Sequence, residues 1–90
     1  MVKNITEKEF IEMYSQKSYE QMVKNTFSAM HKSSEFKNND PHCHSLMIFP
    51  FDDSEYCSLI IECTAKKIDI GGTKAYDFGI IKIMLSDEEM

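Results

Sequence analysis

The stretch from residue 55 to residue 85 constrains the fold most, because two runs rich in β-branched residues flank a Gly71-Gly72 pair. Glycine reaches positive φ without a Cβ clash, so paired glycines in this setting are typical of a two-residue hairpin turn. We therefore expect one long antiparallel hairpin in which opposite charges face each other across the strands. The pairs nearest the turn are Ile70–Thr73, Asp69–Lys74, Ile68–Ala75 and Lys66–Asp77.

The far end of this hairpin requires one irregularity. An unbroken ladder would place Lys82 opposite Ile61, on a face that is otherwise apolar. A one-residue bulge near Gly79 removes this conflict, because the extra residue exchanges the two sides of the strand. The pairs then expected are Cys63–Ile81, Ile61–Ile83, Leu59–Leu85 and Glu62–Lys82, and the apolar face consists of Leu59, Ile61, Cys63, Ile81, Ile83 and Leu85.

Two helices are predicted before the hairpin. Thr6 and Glu9 have the spacing of a capping box, which starts a first helix at Glu7. The capping pattern returns over residues 18–21, and the apolar residues that follow recur at helical spacing until about Lys32. The apolar stripes of the two segments are out of phase, so we expect two helices or one sharply kinked helix.

A further strand is predicted from His44 to Phe51, ending at Pro50 and the turn over residues 52–54. The resulting architecture is α+β, with two N-terminal helices packed on a three-stranded antiparallel β-meander. We expect residues 1–90 to form a single domain, because one core suffices for a chain of this length.

Charge and composition narrow the function classes. The chain has a net charge of -5, and its ten basic residues are all lysines. Direct nucleic-acid binding is unexpected, because phosphate contacts need positive charge and arginine supplies the bidentate ones. Three cysteines cannot all pair within one chain, which favours a reduced, cytoplasmic setting. No apolar run is long enough to span a membrane, and no apolar signal segment follows the N-terminus.

The second face of the sheet is predicted to be an interface. The strand from 44 to 51 is apolar on both sides, and two short helices are too small to cover both faces. A contiguous exposed apolar patch usually marks a protein interface. We expect a protein partner or a second copy in a homodimer to bind there, unless the 33–41 segment or the tail covers the face. The expected contact residues are Met47, Phe49, Phe51, Tyr56, Ile60 and Met84, with Ile80 beside them.

A histidine-rich segment ahead of this strand is the sharpest candidate for chemistry. His42 and His44 project to the same side of an extended chain and can share a metal ion, with Asp40 or His31 completing the shell. The plainer interpretation is two polar residues entering a strand, since no further metal-binding motif accompanies the pair. Adjacent strand residues point to opposite faces, so neither histidine readily activates Cys43 as a nucleophile.

These features predict a small acidic protein-binding domain that has no catalytic activity and needs no cofactor. Phages and mobile elements often encode small acidic chains as inhibitors of host proteins, an association that rests on composition alone. The alternative is a metal- or small-ligand-binding domain built on His42 and His44. A third possibility is that the acidic groups imitate a phosphate path and occupy a nucleic-acid-binding protein, but interspersed lysines weaken it.

Overall fold

A computed structural model of the chain describes residues 1–32 and 42–88, with the backbone alone at positions 42 and 43. Two helices pack on one face of a four-stranded antiparallel sheet, in which the strand order is β1-β4-β3-β2. The α+β prediction is confirmed, but the prediction of three strands is wrong, because a fourth strand precedes the helices. The elements are β1 (Val2–Ile5), α1 (Glu7–Met13), α2 (Gln16–Lys32), β2 (His42–Pro50), β3 (Ser58–Ile70) and β4 (Thr73–Ser86).

The extra strand, β1, is too short and too polar to show the alternation by which strands are recognised. Of its four residues only Ile5 is buried. Its backbone pairs with the end of β4, so that Ile5 lies beside Ile83 and Val2 beside Ser86. A short strand of this kind depends on the neighbour it pairs with more than on its own residues.

The long hairpin forms as predicted, with its turn at Gly71 and Gly72. Both glycines have positive φ, at 59° and 88°. The Gly72 N–H donates a hydrogen bond to the Asp69 carboxylate at 2.8 Å, which closes the turn from within the strand. All four predicted pairs next to the turn are confirmed.

The predicted bulge exists, two residues further along β4 than expected. The ladder shifts between Glu62 and Cys63, so that Ile81 is the extra residue and Cys63 faces Ile80. Ile80 therefore packs against the core, whereas Ile81 is 50% exposed. The prediction had these two isoleucines exchanged, because a bulge at either position returns Lys82 to the side opposite the core.

The capping box at the start of α1 is confirmed. The Thr6 hydroxyl accepts a hydrogen bond from the Glu9 N–H at 3.1 Å, and the Glu9 carboxylate accepts one from the Thr6 N–H at 3.0 Å. The second helix begins at Gln16, earlier than predicted, because the hydroxyl of Ser15 caps it by accepting from the Ser18 N–H at 3.0 Å. The expected break between the two helices is confirmed.

The core lies between the helices and the inner face of the sheet. Phe10 anchors α1 with 2% of its surface exposed, and its ring centroid lies 4.9 Å from that of Tyr14. On α2 the buried Thr26 hydroxyl donates to the Met22 carbonyl at 2.8 Å, so this polar group is satisfied inside an apolar layer. The buried apolar residues that the sheet contributes to this core are Ile5, Leu59, Ile61, Cys63, Ala65, Ile83 and Leu85.

The bulge makes a one-residue deletion testable. Removing one of the adjacent residues Ile80 and Ile81 leaves a regular ladder with Lys82 still outside, so we expect a loss of unfolding free energy within about 2 kcal/mol. Removing Ile83 also regularises the ladder but places Lys82 in its core position. We expect that deletion to cost several kcal/mol or to prevent folding, because a lysine would be buried unpaired.

Chemical denaturation of the two deletion variants and the parent measures this difference. Equal losses of stability in the two variants would contradict the assignment of Ile81 as the extra residue.

Candidate functional site

The sheet has a second face, on the side away from the helices, which we call the open face. Across β2, β3 and β4, Ile48 lies beside Ile60, and Ile60 lies beside Met84. Leu46 extends this row along β2, because residues two apart on a strand share a face. We call these four residues the apolar stripe: Leu46, Ile48, Ile60 and Met84.

The apolar stripe is buried at its centre and exposed at its β2 end. Ile60 has 7% of its surface exposed, whereas Leu46 is 60% and Ile48 48% exposed. Ile60 and Met84 lie on this face, as the hairpin register predicts. The helices pack on the other face, so within residues 1–32 and 42–88 no element covers Leu46 and Ile48. The alternative expectation, that the 33–41 segment covers the face, concerns residues outside the described part of the chain.

Four of the predicted contact residues lie on the helix side instead. Met47 and Phe49 stand beside core residues of β3, and both pack against the core together with Phe51 and Tyr56. The placement of these four residues on the open face is therefore wrong. A one-residue change of register exchanges the two sides of a strand, and the connection over residues 51–57 sets that register.

At one end of the open face, residues after β4 lie against the strands. Ser58 and Ser86 are neighbours and both are buried. The Ser58 hydroxyl donates to the Glu88 carbonyl at 3.3 Å, and the Glu88 N–H donates to the Ser86 hydroxyl at 3.1 Å. The Met1 amino group is hydrogen-bonded to the Asp87 carboxylate, and this hydrogen bond lowers the pKa of Asp87. These hydrogen bonds hold Asp87 and Glu88 against the end of the sheet.

A groove of about 420 Å³ lies between the helices and the end of β2. The Tyr14 ring meets the Phe51 ring edge-on there, with centroids 5.2 Å apart. The Gln21 amide donates to the Asn25 amide at 2.9 Å, so two of the polar lining groups satisfy each other. The lining residues are Phe10, Tyr14, Ser18, Gln21, Met22, Asn25, Phe49, Pro50, Phe51 and Leu59. Because none of these side chains is charged at neutral pH, the groove presents mainly apolar surface.

The Tyr14 hydroxyl in this groove is buried and makes no hydrogen bond of ordinary geometry. Burial, and then the nearby Asp53 carboxylate, raises the pKa of Tyr14 to about 12. Asp53 accepts a hydrogen bond from the Glu55 N–H at 2.8 Å, and this bond lowers the pKa of the Asp53 carboxyl. Tyr14 therefore holds its proton at neutral pH and supplies no general base.

The histidines of the predicted metal site do not come together where the structure describes them. His44 is exposed on the open face. His31, on α2, packs edge-on against Phe78 on the helix side, with ring centroids 5.0 Å apart. The sheet separates these two imidazoles, so His31 does not complete a shell with His44. The side chain of His42 and all of Asp40 lie outside the described residues, among which no three metal-binding side chains cluster.

The cysteines with described side chains occupy packing positions. Cys63 is fully buried, with its sulfur 3.5 Å from the Ser45 carbonyl oxygen. Cys57 is half-buried, with its sulfur 3.7 Å from the Ser86 carbonyl oxygen. Burial beside backbone carbonyls is typical of a cysteine that acts as a small hydrophobe. The side chain of Cys43 is outside the described residues.

The raised pKa of Tyr14 predicts a loss of stability at high pH. A tyrosine with a pKa of about 12 in the folded state and 10 in the unfolded state favours folding below pH 10. This contribution is lost as the pH rises from 10 to 12, so the unfolding free energy should fall in that range. Tyr14→Phe should reduce the fall, and it should change stability at neutral pH by less than about 1 kcal/mol because no hydrogen bond of ordinary geometry is removed.

Ultraviolet titration of tyrosinate, together with denaturation at neutral and alkaline pH, measures both effects. In Tyr14→Phe the amplitude falls because one tyrosine is missing, and the component that titrates near pH 12 should disappear. A curve of unchanged shape contradicts the assignment of this raised pKa to Tyr14.

No protein-family model, curated protein or solved structure matches this chain. No helix in the described part of the chain is long and apolar enough to cross a membrane.

Proposed function

We propose that this protein is a binding module without catalytic activity, which binds a protein partner through the apolar stripe on its open face. The observation that carries the proposal is the exposure of Leu46 and Ile48, at 60% and 48%, next to the buried Ile60. Contiguous apolar surface that stays accessible in a folded chain usually marks a protein interface.

Burial of the exposed part of the apolar stripe by a partner contributes binding free energy. Complete burial of a leucine or isoleucine side chain contributes roughly 1.5–3 kcal/mol relative to full exposure. Because Leu46 and Ile48 are each about half exposed, a partner recovers about half of that amount from each. Ile60 lies beside Ile48 in the sheet and Met84 lies beside Ile60, so the ladder already holds this surface in place and it needs little rearrangement before binding.

Charged residues of opposite sign border the apolar stripe. Glu62 lies beside both Leu46 and Lys82, and the Lys66–Asp77 pair lies on the same face four residues further along β3. Such a border suits a partner that carries both charges around its own apolar patch.

The absence of catalysis is part of the proposal, because three buried side chains that carry a hydroxyl or a thiol make structural contacts. The Thr26 and Ser58 hydroxyls donate to backbone carbonyls, and Cys63 packs in the core. Binding without chemistry suits an inhibitor or adaptor that acts by occupying a surface of a larger protein, in keeping with the composition of the chain. The metal-binding alternative on His42 and His44 stays a prediction.

The exposed end of the apolar stripe provides the direct test. Ile48→Asp should weaken partner binding at least about tenfold, because an interface that buries a carboxylate must desolvate it. The matched control is Ile70→Asp, since Ile70 is 63% exposed and lies at the hairpin turn, away from the stripe. Proteins captured from a lysate by the parent and by the control should be missing from the Ile48→Asp sample.

Sedimentation velocity of the three purified proteins extends the test to self-association, and circular dichroism checks their folding. Identical capture and identical sedimentation for all three proteins would rule out the stripe as the binding surface. Phe49 is unsuitable for this test, because it packs against the core and lines the groove. We expect Phe49→Asp to lower stability by several kcal/mol, through burial of a charge.

A further inference from the structure

β2 is the last strand on one side of the sheet, and no described strand lies beside its outer edge. The Phe51 N–H donates to the Cys57 carbonyl at 2.8 Å, in the register that pairs β2 with β3. Bonded and non-bonded positions alternate along an antiparallel pair, so the odd-numbered residues of β2 bond to β3. The N–H and C=O groups of Leu46 and Ile48 therefore point away from the sheet.

The two edges of the sheet differ in their protection against further pairing. Natural edge strands usually carry lysines, prolines or bulges that prevent it. The β1/β4 edge has Lys3 in its four-residue strand and the bulge at Ile81 next to Lys82. Residues 42–49 of β2 include no lysine, aspartate, glutamate or proline. Only Pro50, at the end of the strand, lacks an outward N–H, so nothing in the described part of the chain protects the edge before it.

We infer that a second copy of this chain pairs its own β2 antiparallel with this edge, around a two-fold axis at Met47. The product is one continuous sheet of eight strands, four from each copy. Leu46 of each copy then lies opposite Ile48 of the other, and their outward backbone groups bond to each other.

A second copy fits this edge for two reasons. Self-pairing places the exposed apolar side chains of Leu46 and Ile48 opposite each other. In addition, β2 has no lysine, aspartate or glutamate that would face the same charge on the second copy. The two-fold axis is perpendicular to the sheet, so both helix layers stay on one side and the two apolar stripes join into one band. The inference rests on the proposed function, since it names the partner of the same surface.

Cysteine cross-linking tests the position of the axis. In the pair formed by the two β2 strands Met47 is a non-bonded position, so its two copies face each other with Cα atoms about 4.5 Å apart, within disulfide range. Under mild oxidation Met47→Cys should form a disulfide-linked dimer. The control is Ser45→Cys on the same side of β2. In the dimer its two cysteines would lie four residues apart along the paired strands, a separation of roughly 13 Å. If Met47→Cys forms no more disulfide-linked dimer than Ser45→Cys and the parent do, the inferred register is overturned.

Proline substitution tests the edge itself. Leu46→Pro removes an outward N–H but none of the bonds to β3, and Leu46→Thr keeps that N–H while making the side chain more polar. We expect sedimentation velocity to show a concentration-dependent dimer that Leu46→Pro weakens at least about tenfold and Leu46→Thr weakens less. Met84→Gln, on the open face but away from the edge, should retain the dimer.

The outcomes separate this inference from the proposed function. A dimer lost in Met84→Gln and kept in Leu46→Pro means that two open faces stack, which overturns edge pairing and supports the proposed function. Amide exchange of the parent gives a second measurement, in which the Leu46 and Ile48 N–H groups should become protected as concentration rises. A protein that stays monomeric at every concentration overturns edge pairing, and lysate capture by Ile48→Asp and Ile70→Asp then decides the proposed function.

Discussion

The cross-strand register of the β3–β4 hairpin is the constraint on which the rest of the structure depends. Its turn at Gly71 and Gly72 fixes the residue pairs next to it. The bulge at Ile81 shifts the pairing by one residue further along the strands, so that Lys82 stays on the side away from the core. Without the extra residue, every side chain beyond it would change faces. The helix-covered core, the strand β1 and the apolar stripe all take their positions from this one ladder.

The helices complete the structure on one side of that ladder. Phe10 and Met30 fill the space between the helices and the sheet, and both are almost fully buried. Seven-residue α1 and seventeen-residue α2 cover one face of the sheet. The opposite face keeps an apolar stripe that solvent reaches at its β2 end, which is the physical basis for proposing that the protein is a binding module.

At the β2 edge, exposed apolar side chains and outward-pointing backbone groups occur on the same residues. Leu46 and Ile48 leave apolar side chains exposed on the open face, and their backbone groups point outward from the same strand. A partner strand satisfies both needs together, whereas a partner that docks only on the face leaves the backbone to water. This coincidence distinguishes β2 from the β1/β4 edge, where lysines and a bulge discourage pairing.

Local patterns in the sequence determined the turn, the capping box at Thr6 and Glu9, and the presence of a bulge. These features depend on residues close in the chain or on one uninterrupted pairing, so their residue types suffice to recognise them. The two helices and the apolar character of both sides of β2 followed from periodicity alone.

Only the tertiary structure decided which side of β2 faces the helices, which isoleucine forms the bulge, and that Val2–Ile5 is a strand. Period-two alternation is symmetric, so a strand that is apolar on both sides has no preferred face until its neighbour sets the register. Met47 and Phe49 therefore belong to the core and Leu46 and Ile48 to the open face, because β3 holds β2 in that register.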